Sequence, residues 1–265
     1  MRDLAGRVAV VTGAGSGIGR AFATACASEG MALVLADIEP AALAETEALI
    51  RAAGAPVLAV PADVARFDEV DAVARAAIDR FGVVHLLCNN AGVSGRFAPL
   101  WEQDAADWEW LLSVNLWGVI NGVRAFVPRM LEQGGDCHIV NTASEASFTV
   151  RPYVGPYHAT KHAVLAVSET LALELQMAGA PIGVSVLCPG GVRTRVLEAS
   201  RNRPAGMAPQ RDASAGFAAA LERQYRRSLA GAMPPGQVAA AVVSAVKEGR
   251  FYVFSHPVVK ERILA

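Results

Sequence analysis

Tyr157 and Lys161 stand four residues apart in Tyr157-His158-Ala159-Thr160-Lys161. On a helix that spacing puts both side chains on one face, about 6 Å apart along the axis. A tyrosine with a pKa near 10 is a poor base at neutral pH. A neighbouring ammonium favours the phenolate and lowers that pKa. Bringing it to about 7 takes roughly 4 kcal/mol of differential stabilisation. The pair therefore reads as a proton-transfer device. The chain has only four tyrosines and three lysines, Lys161, Lys247 and Lys260, so chance supplies about 0.05 such pairs. That weighs against a surface tyrosine merely stacked on a lysine stem. Ser144 lies thirteen residues before Tyr157, just after an apolar run. It can reach the same pocket and hydrogen-bond a substrate oxygen, or it can simply cap a turn.

A second group of residues suits a dinucleotide. Thr12-Gly13-Ala14-Gly15-Ser16-Gly17-Ile18-Gly19 follows an apolar run and opens a helical pattern. Glycines in that context let the backbone approach a pyrophosphate at a helix N-terminus. The spacing is G-x-x-x-G-x-G and no Lys-Ser/Thr follows, so it is not a phosphate-binding P-loop. A glycine-rich turn needing only positive φ gives the same pattern. Asp37 follows Gly19 by 18 residues, where a carboxylate accepts hydrogen bonds from ribose hydroxyls. It would repel a 2′-phosphate by roughly 4 kcal/mol at ~4 Å and an effective dielectric near 20. Neither Ser16 nor Ile38 offers a base to neutralise such a phosphate, which favours NAD over NADP. Asp37 also suits a cap for the helix beginning at Pro40. Asn89-Asn90-Ala91-Gly92 comes directly after another apolar run, where asparagines can tie neighbouring loops together or form an ordinary turn.

The elements that must position these residues alternate regularly. Strand-like runs are Val8–Val11, Ala32–Ala36, Val57–Val60, Val84–Cys88, His138–Asn141, Gly183–Leu187 and Phe251–Phe254. Helical patterns cover Gly17–Glu29, Pro40–Ala53, Phe67–Phe81, Ala105–Gln133, Tyr153–Ala178 and Pro235–Lys247. This β-α-β-α rhythm predicts an α/β fold with a doubly wound parallel sheet and right-handed crossovers. No linker or repeat divides the 265 residues, so a single domain spanning 1–265 is expected. The rhythm breaks at about 192–228, an arginine-rich stretch with a weak helical tail, which reads as a lid over the sheet's edge.

Composition excludes several functions. Apolar residues make up 53% of the chain and the mean hydropathy is +0.32, as expected for strands buried on both faces. A net charge of -1 gives nothing to attract nucleic acid or an anionic membrane. Cys26, Cys88, Cys137 and Cys188 form no C-x-x-C pair and sit in apolar runs, as buried thiols of a reducing compartment do. With no secretory signal at the N-terminus, a cytoplasmic location is expected. His158 and His162 lack a third ligand, so no metal is implied.

Together, Thr12–Gly19, Asp37, Asp63, Asn89–Gly92, Asn115, Ser144, Tyr157, Lys161 and Pro189-Gly190 resemble the short-chain dehydrogenase/reductase family, over about Gly6 to Phe254. The resemblance implies a seven-stranded parallel Rossmann sheet with three helices on each face. It implies Tyr157 as general acid/base, with Lys161 lowering its pKa and binding the nicotinamide ribose. Ser144 would position the carbonyl or hydroxyl. Asn115 would hold a water in a proton relay to Lys161; read from the chain alone it is a mildly unfavourable helix residue with no assigned partner. Gly13, Ser16, Gly17, Ile18, Gly19, Asp37 and Ile38 would bind NAD, with Asp63 and Val64 at the adenine. Asn90, Ala91 and Gly92 would flank the cofactor, and Pro189, Gly190, Val192 and Thr194 would cradle the nicotinamide side. The helices 105–133 and 153–178 resemble those of the family's dimer interface, so a homotetramer or homodimer is expected. A fainter resemblance, in 115–130 and 198–204, is to bacterial NAD-dependent dehydrogenases, some of which oxidise benzylic alcohols of lignin-derived aryl ethers.

The expected reaction is interconversion of a secondary alcohol and a ketone with NAD(H). The expected substrate contacts are Ser144, Glu145, Tyr153, Tyr157 and Val192. Glu145 replaces the small or apolar residue usual in the family, and either meets substrate or faces solvent. Phe97, Trp101, Phe148, Tyr153 and Val192 make the pocket largely apolar, or some of these aromatics pack only against the lid or a neighbouring subunit. The rival functions are a non-catalytic NAD-binding protein on the same fold and a nucleotide-sugar epimerase or dehydratase, which usually needs a larger substrate domain.

Overall fold

The computed structural model describes residues 1–207 and 216–256. Seven strands form one all-parallel sheet: β1 (Val8–Thr12), β2 (Ala32–Asp37), β3 (Val57–Pro61), β4 (Leu86–Asn89), β5 (Cys137–Thr142), β6 (Ile182–Leu187) and β7 (Tyr252–Val253). Their spatial order is β3-β2-β1-β4-β5-β6-β7. The order reverses between β1 and β4, and the crevice beyond the carboxyl ends of strands at such a switch point is where open α/β sheets take ligands.

Eight α-helices accompany the strands among the described residues: α1 (Gly17–Ser28), α2 (Pro40–Ala52), α3 (Phe67–Phe81), α4 (Ala105–Leu111), α5 (Gly118–Gln133), α6 (Gly155–Met177), α7 (Phe217–Ala230) and α8 (Pro235–Glu248). The two-residue period of a strand sends alternate side chains to opposite faces. Ala9 and Val11 of β1 enter one buried cluster with Phe22 of α1, Leu43 of α2 and Val242 of α8. Val8 and Val10 enter the other with Val73 of α3, Phe126 of α5 and Leu171 of α6. Three helices therefore cover each face, as the resemblance implied. Both faces being dry explains the continuous apolar runs.

Most boundaries move by a residue or two from the sequence reading, and three of the differences have a local reason. β4 starts at Leu86 because the Gln133 side chain takes both backbone groups of Val84, accepting from its N–H at 3.1 Å and donating to its carbonyl at 2.6 Å. α6 starts at Gly155 because Tyr153 has φ +72°, which no α-helix accommodates. The expected single helix 105–133 is split by a π-helical turn at Leu112–Trp117. Such turns are frequent at functional sites. This stretch is apolar and long enough to cross a bilayer by composition, but Ala125, Phe126 and Met130 bury themselves on the sheet.

α5 can approach the sheet only because residue 122 is glycine. A Cβ there would stand 2.7 Å from the carboxamide carbon of Asn89, whose Nδ2 donates to Asn141 Oδ1 at 2.9 Å. Asn141 in turn donates to Ser168 Oγ at 3.0 Å, joining β4, β5 and α6. Gly122→Ala should therefore overpack a buried polar relay and lower stability by about 2 kcal/mol. In a thermal melt the midpoint should fall by roughly 5 °C; an unchanged midpoint would mean that α5 shifts freely.

Candidate active site

The sequence motifs converge at the carboxyl end of the sheet. One cleft is lined by Gly13, Ser16, Gly17, Ile18, Asp37, Ile38, Asp63, Val64, Asn90, Ala91 and Gly92 on one side. Ser144, Glu145, Tyr157, Lys161, Pro189, Gly190, Val192 and Thr194 line it on the other. Of the expected cofactor and catalytic residues, only Gly19 and Asn115 stand behind the wall.

The β1–α1 turn and the start of α1 form a cradle in which Gly13, Gly15, Gly17 and Gly19 alternate with Ala14, Ser16 and Ile18. Gly13 has φ +65°, and a Cβ on it would lie 2.7 Å from Ala91 Cα. A Cβ on Gly19 would lie 2.7 Å from the Gly13 carbonyl carbon. These glycines hold the β1–α1 turn against the β4 loop and leave the N-terminal amides of α1 open, which suits a diphosphate. Asn90 closes the seam: its Nδ2 donates to Thr12 O at 3.0 Å, and its N–H donates to Thr12 Oγ1 at 2.9 Å. The residues present therefore fit a dinucleotide.

Asp37 accepts from the Gly15 N–H at 2.7 Å and from the Glu39 N–H at 2.9 Å. Burial pushes its pKa above the ordinary carboxylate value, and these two bonds pull it back. Glu39, two residues on, is held by the lid: Arg201 Nη2 donates to its Oε1 at 2.7 Å and Asn202 Nδ2 at 2.9 Å. Hydrogen bonding from Arg201 lowers the Glu39 pKa.

The reacting groups sit over β5 and β6. Lys161 is 4% exposed, its Nζ donating to Thr142 O at 2.9 Å and lying 5.7 Å from the centre of the Tyr157 ring. Burial draws its pKa down to about 8. Burial also raises the Tyr157 pKa, the neighbouring Tyr225 and Glu145 add to the rise, and the Ser144 hydroxyl opposes it. Burial, and not the expected depression by Lys161, therefore sets the direction of the Tyr157 shift. Ser144 Oγ accepts from the Ala146 N–H at 3.1 Å.

Asn115 has partners that the sequence did not reveal. It is fully buried in the π-helical turn, its Oδ1 accepting from the Val93 N–H at 2.8 Å and its Nδ2 donating to Val93 O at 3.0 Å. It thereby fixes the loop after Gly92 from 22 residues away. Gly190 and Gly191 are similarly fixed by His256, whose Nδ1 accepts from the Gly190 N–H at 3.2 Å and whose Nε2 donates to Gly191 O at 3.0 Å. No sequence signal pointed to His256.

The substrate side differs from expectation. Tyr153 does not line the cleft; its ring packs on Phe217 of α7 at 5.5 Å. Phe97 packs on Tyr225 at 6.0 Å, Phe148 packs on Phe254 near β7, and Trp101 is 86% exposed. The cleft is lined instead by Val93, Trp110, Val192, Ala199, Tyr225 and Leu229. Glu145 lines it too, bridged to Arg151 at 2.7 Å. The expected lid at about 192–228 includes residues 208–215, which lie outside the described residues. Its described parts are tied down: Arg203 Nη1 meets the buried Asp107 at 2.7 Å, and Ser94 Oγ donates to Val196 O at 2.7 Å.

Comparison with known proteins agrees with this geometry. Residues 7–205 match the family model for short chain dehydrogenases. A short chain dehydrogenase/reductase from Burkholderia phymatum, solved in complex with NAD, is 45% identical and superposes with a TM-score of 0.96, over 100% of this chain and 94% of that one. The CLA biosynthesis dehydrogenase/reductase of Lactiplantibacillus plantarum is 34% identical over 97% of this chain and 90% of its own. The 1-deoxy-11-beta-hydroxypentalenate dehydrogenase of Streptomyces arenae is 39% identical over 94% and 82%. With the motifs at the carboxyl end of its seven-stranded sheet, this chain belongs to the short chain dehydrogenase family and is an oxidoreductase.

Proposed function

We propose that this protein interconverts a hydrophobic secondary alcohol and its ketone with NAD(H), with Tyr157 as general acid/base. The observation that carries the reading is the convergence of Ser144, Tyr157 and Lys161 on the cleft that the glycine cradle also lines. NAD, when bound, supplies the hydride acceptor and a positive ring whose charge favours the Tyr157 phenolate. Gly13, Ser16, Gly17, Ile18, Asp37, Ile38, Asp63, Val64, Asn90, Ala91, Gly92, Pro189, Gly190, Val192 and Thr194 hold it, with Gly19 behind the cradle. The Burkholderia phymatum relative, solved with NAD, supports the choice of cofactor.

In the oxidising direction Tyr157 takes the hydroxyl proton, and in the reducing direction it returns one to the carbonyl oxygen. Lys161 holds a positive charge beside the phenol and reaches the nicotinamide ribose. Ser144 Oγ is held by the Ala146 N–H, and its O–H, which makes only a long 3.5 Å bond to Pro189 O, turns from it to the reacting oxygen and so steadies charge there. Asn115 fixes the β4 loop and holds a water on the route from Lys161 to solvent. Val93, Trp110, Val192, Ala199 and Leu229 give the substrate an apolar body site. Glu145 and Tyr225 are its polar contacts, and Tyr153 acts through Phe217 on α7. The Streptomyces arenae relative is named for a hydroxylated substrate, which agrees with alcohol chemistry. We place the protein in the cytoplasm as a homotetramer or homodimer built on α5 and α6, with 192–228 as a lid on a single catalytic domain.

The test is absorbance at 340 nm with NAD or NADP and a panel of aliphatic, alicyclic, steroidal and benzylic secondary alcohols. Oxidation needs Tyr157 unprotonated and reduction needs it protonated. Since burial raises its pKa, kcat/KM for oxidation should climb up to about tenfold per pH unit on the acid side of the controlling pKa. The reverse reaction should fall as pH rises through it. Profiles of the same slope in both directions would exclude Tyr157 as the titrating group.

A further inference from the structure

His158 follows the reacting tyrosine and points away from the cleft. It is buried and is absent from the cleft lining. Its Nε2 accepts from the Arg151 backbone N–H at 2.9 Å. A backbone N–H can only donate, so Nε2 must carry a lone pair and the ring proton must sit on Nδ1. Nδ1 lies 3.0 Å from Ala146 O, to which it therefore donates. The imidazole thus grips both ends of the segment 146–151, which leads from Ser144 to α6.

The grip reaches the reacting centre in one step. Ala146 is the residue whose N–H donates to Ser144 Oγ at 3.1 Å. The same short turn, Glu145–Ser147, is tied on its other side by Ser147 Oγ, which donates to the Lys161 carbonyl at 2.7 Å. If the Ala146 turn drifted, Ser144 Oγ would lose the N–H that holds it at 3.1 Å and keep only the long 3.5 Å bond that its O–H makes to Pro189 O, which directs the hydroxyl at the backbone and not at substrate. Charged and titratable neighbours of the ring are Arg151 with its partner Glu145, and Tyr157 and His162 on α6. Burial, with Arg151 and His162 beside the ring, keeps its pKa below the ordinary histidine value, consistent with the neutral tautomer the contacts demand.

We infer that His158 is a positioning residue for the reaction: a neutral imidazole that locks the Ala146 turn so that Ser144 presents its O–H to the reacting oxygen. The inference rests on the role assigned to Ser144 above. It predicts that the two residues act as a unit, whereas a mere packing role for His158 would be independent of Ser144.

A double-mutant cycle separates the two. His158→Leu, Ser144→Ala and the double variant are measured in single turnovers, enzyme in excess, with NAD and the panel alcohol of highest kcat/KM. His158→Leu should slow turnover about tenfold when Ser144 is present and less than about twofold when it is Ala. His158→Asn restores a donor for Ala146 O and should recover much of the loss; it also carries the cycle if the leucine variant does not fold. Amide hydrogen exchange at Ala146 should rise in the leucine variant and return in the asparagine variant. NAD affinity should stay unchanged throughout. Equal losses in both backgrounds, unchanged turnover in His158→Leu, or parallel loss of NAD binding would each overturn the inference. Tyr157→Phe is run alongside: full activity there would sink the reading of the active site itself, while an inactive Tyr157→Phe with a silent His158→Leu would sink only the positioning role.

Discussion

Tyr157→Phe should lower kcat for alcohol oxidation by about 10³-fold and leave NAD binding and thermal stability almost unchanged. The substitution removes one oxygen from a ring that packs with Val93, Trp110, Leu111, Ala199 and Val114, so phenylalanine keeps the packing and loses only the proton-carrying group. Turnover, a fluorescence titration with NAD and a melt on the same preparation check the three parts together. If turnover falls only as far as NAD binding does, the phenol was holding the cofactor and the proton moves elsewhere. Tyr225, the only other phenol lining the cleft among the described residues, would then be the place to look.

Wild-type protein should prefer NAD to NADP by about 10³-fold in kcat/KM, the ratio that roughly 4 kcal/mol of repulsion gives, and less where water screens Asp37. Asp37→Ser should collapse most of that preference. Asp37 cannot swing away from a 2′-phosphate, because both of its oxygens are held by backbone N–H groups of Gly15 and Glu39. Of the two arginines that line the cleft, Arg195 is paired with Glu198, and Arg201 is engaged by Glu39 and by the carbonyls of Arg195 and Glu198. Adding Glu39→Gln to Asp37→Ser should therefore weaken the hold on Arg201 and raise NADP activity further than either change alone. The four proteins assayed with both cofactors give the ratios directly. NADP preference in the wild type would show that Asp37 does not face the adenosine ribose.

Those two predictions rest on residues that were legible because their geometry is local. Tyr157 and Lys161 are one helical turn apart, the glycines form one turn, and Asp37 ends its strand. The sheet was legible for the same reason: β1, β2 and β6 are buried on both faces and read as apolar runs. What lay beyond the sequence is made by long-range contact. Asn115 finds Val93, and Asp107 finds Arg203 across 96 residues; no spacing rule couples such pairs. The aromatic residues misled because composition does not say which wall a ring faces. Phe97 and Tyr153 are spent on holding α7, so that Tyr225 rather than either of them reaches the cleft. α7 itself read only as a weak helical tail because it buries little: of its fourteen residues, only Ala218 and Leu229 are buried.

The central claim, hydride transfer between a secondary carbinol and NAD with Tyr157 moving the proton, is tested most directly by isotope. A panel alcohol deuterated at the carbinol carbon is turned over with NAD, and the recovered NADH is examined by NMR and mass spectrometry. Deuterium at nicotinamide C4, with turnover slowed relative to the protiated alcohol and lost in Tyr157→Phe, is the predicted result. Product formed without net NADH, or NADH free of deuterium, would contradict the claim and point to an epimerisation or to a different reacting carbon.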